Sequence, residues 1–126
     1  MANAKKILLA EDDVFILEIM AEKLKKSGFE VSIAKDGEDC IQVLTSLRPD
    51  ILLLDILMPQ IDGFEVLRRM KASESLSHIP VVVLSNLGQK EEIQKALDLG
   101  AKDYVVKANF TTNEIVEKIN AVLKNV

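Results

Sequence analysis

The sequence predicts an α/β fold, a doubly wound parallel sheet of five strands covered by five helices. Three observations lead there. Short apolar runs alternate with helix-spaced apolar patterns five times along 126 residues. Three of the runs, "ILLA", "ILLL" and "VVVL", are apolar throughout, as strands buried on both faces are. Gly28, Pro49 and Gly100 stand where one pattern stops and the next begins.

Each element follows in order. The first strand is predicted at Ile7–Ala10. Leu17, Met20, Ala21 and Leu24 then share one helix face, and Gly28 ends that helix. The second strand, Val31–Ala34 within "EVSIA", alternates instead of running apolar, which predicts an edge strand with one wetter face. Cys40, Val43, Leu44 and Leu47 mark the second helix, stopped by Pro49. The third strand is Ile51–Leu54, and its helix carries Gly63, Val66, Leu67 and Met70. Asp62 and Glu65 have capping-box spacing at its start. The polar connection "KASESLSH", Lys71 to His78, is expected to be a mobile loop. The fourth strand is Val81–Leu84, followed by a helix with Ile93, Ala96 and Leu97 that Gly100 closes. The fifth is Tyr104–Val106, followed by Ile115, Ile119, Val122 and Leu123 on a helix with a second capping-box pair, Thr111 and Glu114.

Bulk composition bounds the function. Residues 1–126 fit one domain, and 48% hydrophobic with 29% charged residues describes a globular chain rather than a disordered one. A net charge of −4 argues against nucleic acid as the main partner and against an anionic membrane surface. The apolar stretch behind Lys5 and Lys6 is too short for a signal sequence, and no run is long enough to span a membrane. The expected compartment is the cytoplasm. Cys40 stands alone, so no internal disulfide forms, and its spacing reads as core. The chain starts at Met1 and its last helical pattern runs to the end, so no output domain is expected.

The chemistry gathers at strand ends. Ligands of doubly wound sheets bind beyond the carboxyl ends of the strands. There stand Glu11, Asp12 and Asp13 after the first strand, and Asp55 after the third. Ser85 and Asn86 follow the fourth, and Lys107 follows the fifth. Carboxylates at close quarters repel unless a cation intervenes. Mg²⁺ suits such a site, because it takes one or two carboxylates with water and phosphate oxygens. A lysine and a hydroxyl add an anion-binding half. Cation and anion sites together point to phosphoryl chemistry, with a carboxylate as a nucleophile able to form an acyl phosphate.

The motifs "ILLAEDD" (Ile7–Asp13), "DILLLDILMPQIDGFE" (Asp50–Glu65), "IPVVVLSN" (Ile79–Asn86) and "GAKDYVVK" (Gly100–Lys107) stand in order over nearly the whole chain. In this the sequence resembles the receiver domains of two-component response regulators, the CheY-like family. The resemblance implies a flavodoxin-like sheet of strand order 2-1-3-4-5. It implies Asp55 as phosphoacceptor, Asp12 as a direct Mg²⁺ ligand, Glu11 acting mainly through water, and the Leu57 backbone carbonyl as a further ligand. Ser85 is expected to bond a phosphoryl oxygen, Lys107 to pair with Asp55 and then the phosphate, and Tyr104 to switch rotamer as Ser85 moves. Asp13 reads as a helix N-cap rather than a ligand. His78 reads as a surface residue, not a phosphodonor. Leu57 and Leu87 flank the path of hydrolytic water and cannot orient it, which predicts slow self-dephosphorylation.

Two departures from the family pattern stand out. Ala108 replaces the proline that usually follows the lysine. A cis bond there would cost about 3 kcal/mol, so the loop is either trans and reshaped or strained. Asn86 stands where a small residue is usual, and its amide either contacts the phosphoryl group or narrows access.

The expected function is a switch that takes a phosphoryl group from a histidine kinase or phosphotransfer protein. It would then bind a target protein on the face of helix four, strand five and helix five, as a monomer or weak dimer. The alternative is a degenerate receiver, never phosphorylated, serving as an interaction module. A metabolic enzyme is not expected. Aspartate-nucleophile phosphatases carry a second acid where Leu57 stands, and a flavin carrier needs a phosphate loop where "EDD" would repel phosphate.

Overall fold

A computed structural model describes residues 4–125. Strands β1 (Lys6–Ala10), β2 (Glu30–Ala34), β3 (Ile51–Leu54), β4 (Val81–Ser85) and β5 (Asp103–Val106) alternate with five α-helices. These are α1 (Val14–Lys26), α2 (Gly37–Leu47), α3 (Gly63–Lys71), α4 (Lys90–Asp98) and α5 (Thr112–Lys124). The strands are parallel in the order β2-β1-β3-β4-β5, the order the resemblance implied.

Successive side chains of a strand point to opposite faces, so each apolar run feeds two cores. Leu8 and Ala10 of β1 join Leu52 and Leu54 of β3 beneath α2, α3 and α4. Ile7 and Leu9 join Ile51 and Leu53 beneath α1 and α5. Cys40 lies in the first core with no exposed surface. Burial pushes its thiol pKa up to about 12, helped by the nearby charges of Asp39 and Asp36, so it is packing rather than a reactive thiol.

Several local expectations change. β2 is an edge strand as predicted, and Ile33 on it is 39% exposed. Leu97 on α4 is also exposed, and Leu99 packs against the core in its place. Asp62 caps α3 by accepting from the Glu65 N–H at 2.9 Å. The return bond of a capping box is missing there, because the Glu65 carboxylate binds Arg68 and Arg69. The Lys71–His78 connection is no open loop. Lys71 ends α3, and the segment winds into turns closed by Ser77 N–H to Ser73 O at 2.8 Å and anchored by buried Leu76.

The topology puts every strand's carboxyl end and every helix N-terminus at one rim. Register then sets neighbours. Ala10 pairs with Leu54, so the next residues, Glu11 and Asp55, stand side by side. Ser85 pairs with Val106, which sets Lys107 one step beyond the serine.

Candidate active site

The rim assembles the predicted residues. Asp55 is 6% exposed, and its N–H is fixed by the carbonyl of Ala10 at 3.0 Å. One carboxylate oxygen accepts from the Leu57 N–H at 3.2 Å, and the other pairs with Lys107 Nζ at 3.0 Å. Lys107 reaches Glu11 more closely still, at 2.6 Å. The second oxygen of Glu11 accepts from the Asp13 N–H at 3.1 Å. Glu11 is only 2% exposed, and protein donors hold both of its oxygens. Asp12 is exposed at the mouth.

Electrostatics follows from this crowding. Burial raises the Glu11 pKa and the Asp55 charge adds to it, against the bonds from Lys107 and Asp13. Burial acts to lower the Lys107 pKa, but the bonds and charges of Glu11 and Asp55 outweigh it and hold the ammonium above its usual range.

Glu11, Asp12 and Asp55 each offer one carboxylate oxygen within 4.8 Å of the others. Three hard oxygen donors at that spacing, with an ammonium already drawn among them, fit a divalent cation such as Mg²⁺. Asp13 takes the predicted role instead: its side chain caps α1, accepting from Phe15 N–H at 3.0 Å and Ile16 N–H at 3.3 Å.

Ser85 is fully buried, and its hydroxyl accepts from the Leu87 N–H at 3.3 Å. Tyr104 is buried, and its hydroxyl donates to the Leu87 carbonyl at 2.5 Å. Burial raises the phenol pKa, with Glu92 and Asp55 adding to the shift and the nearby Ser85 hydroxyl opposing it. The backbone of Leu87 thus joins serine to tyrosine. The sequence showed Leu87 only as a leucine beside a water path; a link made by backbone atoms leaves no mark in residue identity. Asn86 is exposed. No cis peptide occurs among the described residues, so the Lys107–Ala108 bond is trans. The chain there turns into a short 3₁₀ segment, Lys107–Asn109, and Lys107 still meets both acids. His78 is exposed in the segment that enters β4 from the end opposite the rim.

Comparison with known proteins agrees with this geometry. Residues 7–120 match the response regulator receiver domain family. The DNA-binding dual master transcriptional regulator RpaA of Synechocystis is 34% identical over 119 residues, which cover 94% of this chain and 49% of that protein. The chain thus spans about half the length of the curated relatives it matches. Among solved structures, the receiver domain of the Francisella response regulator 1452 superposes with a TM-score of 0.89 at 27% identity. The match covers 96% of this chain and 98% of that one. The phosphorylated cyanobacterial phytochrome response regulator RcpA superposes at 0.81 with 30% identity, over 94% of this chain and 91% of that one. None of the described helices is long and apolar enough to cross a membrane. Fold, rim and family match agree: the chain belongs to the response regulator receiver domains of two-component systems.

Proposed function

We propose that this chain is a phosphorylation-driven switch with Asp55 as the acceptor. The observation that carries the reading is the Asp55 carboxylate itself. It is buried at the rim, oriented by the Leu57 N–H and the Lys107 ammonium, with two further acids beside it. A histidine kinase or phosphotransfer protein supplies a phosphohistidine. An Asp55 oxygen bonds to phosphorus as the P–N bond breaks, and the departing imidazole takes up a proton, leaving an aspartyl phosphate. Asp12, Asp55 and the Leu57 carbonyl would hold Mg²⁺, with Glu11 acting through water. When bound, the ion neutralises charge on the transferring group. Lys107 orients Asp55 before transfer and pairs with the phosphoryl group afterwards.

The switch uses the residues around Leu87. A phosphoryl oxygen accepts from the Ser85 O–H and draws the side chain toward it, away from the Leu87 N–H to which its oxygen now bonds. Leu87 also carries the Tyr104 bond, so movement at serine reaches the tyrosine and the face of α4, β5 and α5. That face is where a target protein would bind. RpaA, about twice as long, carries DNA binding in its name. In a protein of that kind this segment is the signal-receiving half; as a separate chain it acts on a partner protein.

The test is intact-mass analysis after incubation with acetyl phosphate and Mg²⁺. Wild type gains one phosphoryl group, about 80 Da, and Asp55→Asn gains none. Mg²⁺ binding without any gain, from either acetyl phosphate or a phosphorylated kinase, would instead make the chain a degenerate receiver. Exposed Leu57 and half-buried Leu87 offer no group to orient water, so phospho-Asp55 should outlast minutes in Mg²⁺. Loss within seconds would contradict this.

A further inference from the structure

One contact outside the acid cluster bears on the metal. Gly37 opens α2, and its N–H donates to the Pro59 carbonyl at 3.3 Å. A Cβ on Gly37 would stand 2.1 Å from the Ile61 carbonyl oxygen and 2.3 Å from Ile61 Cγ1. No side-chain rotation relieves the first contact, because the oxygen is backbone. At the other end of the same segment, Gly63 N–H donates to the Ile56 carbonyl at 2.8 Å, and a Cβ there would meet the Asp55 carbonyl oxygen at 2.7 Å. The segment from Asp55 to Ile61 is thus pressed between two helix starts that only glycine permits. Gln60 within it already holds a left-handed φ of 72°, so it has little freedom to yield by a backbone turn.

From this packing we infer that Gly37 is a positioning residue for the metal site, acting through Pro59 and Ile61 on Leu57. The inference rests on the phosphoacceptor reading and deepens it. Any side chain at position 37 must push the Ile61 carbonyl from 2.1 Å to an ordinary contact beyond 3.4 Å. Leu57 lies in the displaced segment, between the clamp and the acceptor, and its N–H orients Asp55. Displacement on the order of 1 Å is enough to spoil ligand geometry.

The experiment compares wild type, Gly37→Ala and Gly28→Ala. Gly28 has φ 96° and nothing within 4 Å of a built Cβ, so its substitution strains the chain far from the rim and serves as a stability control. Mg²⁺ is titrated calorimetrically into each, and amide exchange of Leu57 is followed in the metal-free proteins by NMR. Gly37→Ala should bind Mg²⁺ about tenfold more weakly, the scale seen when outer-shell support of a metal site is lost. Its Leu57 amide should exchange faster without metal. Gly28→Ala should melt earlier with unchanged Mg²⁺ affinity. A Gly37→Ala protein that melts earlier yet keeps wild-type affinity and Leu57 exchange overturns the inference alone. Wild type that binds no Mg²⁺ overturns the phosphoacceptor reading and this inference with it. If Gly37→Ala does not fold, Ile61→Gly removes the Cγ1 contact and loosens the backbone that carries the clamped carbonyl; unchanged Mg²⁺ affinity and Leu57 exchange in that variant overturn the inference equally.

Discussion

Lys107 is shared between two acids, and the sharing is unequal: 2.6 Å to Glu11 against 3.0 Å to Asp55. Sequence order identified these residues as rim groups but ranked the lysine's partner as Asp55, since nothing in residue spacing says how far a glutamate reaches. The physical consequence concerns Glu11, whose pKa is raised mainly by burial. A carboxyl with a raised folded pKa adds stability that is fully present below its unfolded value, near 4.5, and is lost as pH rises through the folded value. Glu11→Gln removes that loss. We therefore expect the metal-free variant to be more stable at neutral pH, and its stability to vary less with pH just above 4.5. Its Mg²⁺ affinity should fall at the same time. Melting in EDTA across that pH range, with a Mg²⁺ titration alongside, checks both signs. Cys40 gives a second residue-scale prediction. With its thiol pKa at about 12, labelling by a thiol reagent near pH 8 should be slow in the folded protein and follow the unfolding rate. Rapid labelling under native conditions would place the thiol outside the core.

At the scale of elements, sequence was informative wherever a local rule governs. The five apolar runs became the five strands, and Gly28 and Gly100 took the left-handed conformation that helix ends favour. The Thr111–Glu114 box is complete: Glu114 N–H donates to Thr111 Oγ1 at 3.2 Å, and Thr111 N–H to the Glu114 carboxylate at 2.9 Å. Thr111→Ala should cost about 1 kcal/mol and lower the melting temperature, with Mg²⁺ affinity intact. The same spacing at Asp62 and Glu65 produced half a box because two arginines compete for the glutamate, and spacing alone cannot see competitors. Leu97 was misjudged for a related reason. Periodicity assigns a face, while exposure depends on what the rest of the chain lays over it. The clamp between Gly37 and Ile61 was illegible too, since its two halves come together only when β2 and β3 flank β1.

Across the whole molecule, one geometric fact organises the charges. Parallel strands with return helices put every helix N-terminus at the rim, where the partial positive ends of the helix dipoles lie. Acids follow that field: Asp13, Asp36 and Asp62 cap helices there, and Glu38, Asp39, Glu65, Glu91, Glu92 and Glu114 occupy first turns. Bases collect at the other end, with Lys23, Lys25 and Lys26 closing α1 and Lys124 closing α5. The functional acids therefore sit in a field partly tolerant of negative charge, yet Glu11 and Asp55 share the single ammonium of Lys107, and Asp12 stands beside them without it. Binding a divalent ion there should stabilise the fold by mass action, by about 2.7 kcal/mol at a hundredfold excess over the dissociation constant. The melting temperature should climb logarithmically once Mg²⁺ exceeds that constant. NaCl at equal ionic strength should raise it far less, because screening acts weakly on buried pairs. Asp12→Asn supplies the decisive comparison. Asp12 is exposed, and among the described residues no side-chain hydrogen bond or ion pair is made by its carboxylate, so the variant should fold as wild type does. Loss of the Mg²⁺ effect in that variant alone would assign the stabilisation to the rim, whereas an equal shift in both proteins would mean that the ion binds elsewhere and that Lys107 holds Glu11 and Asp55 together without it.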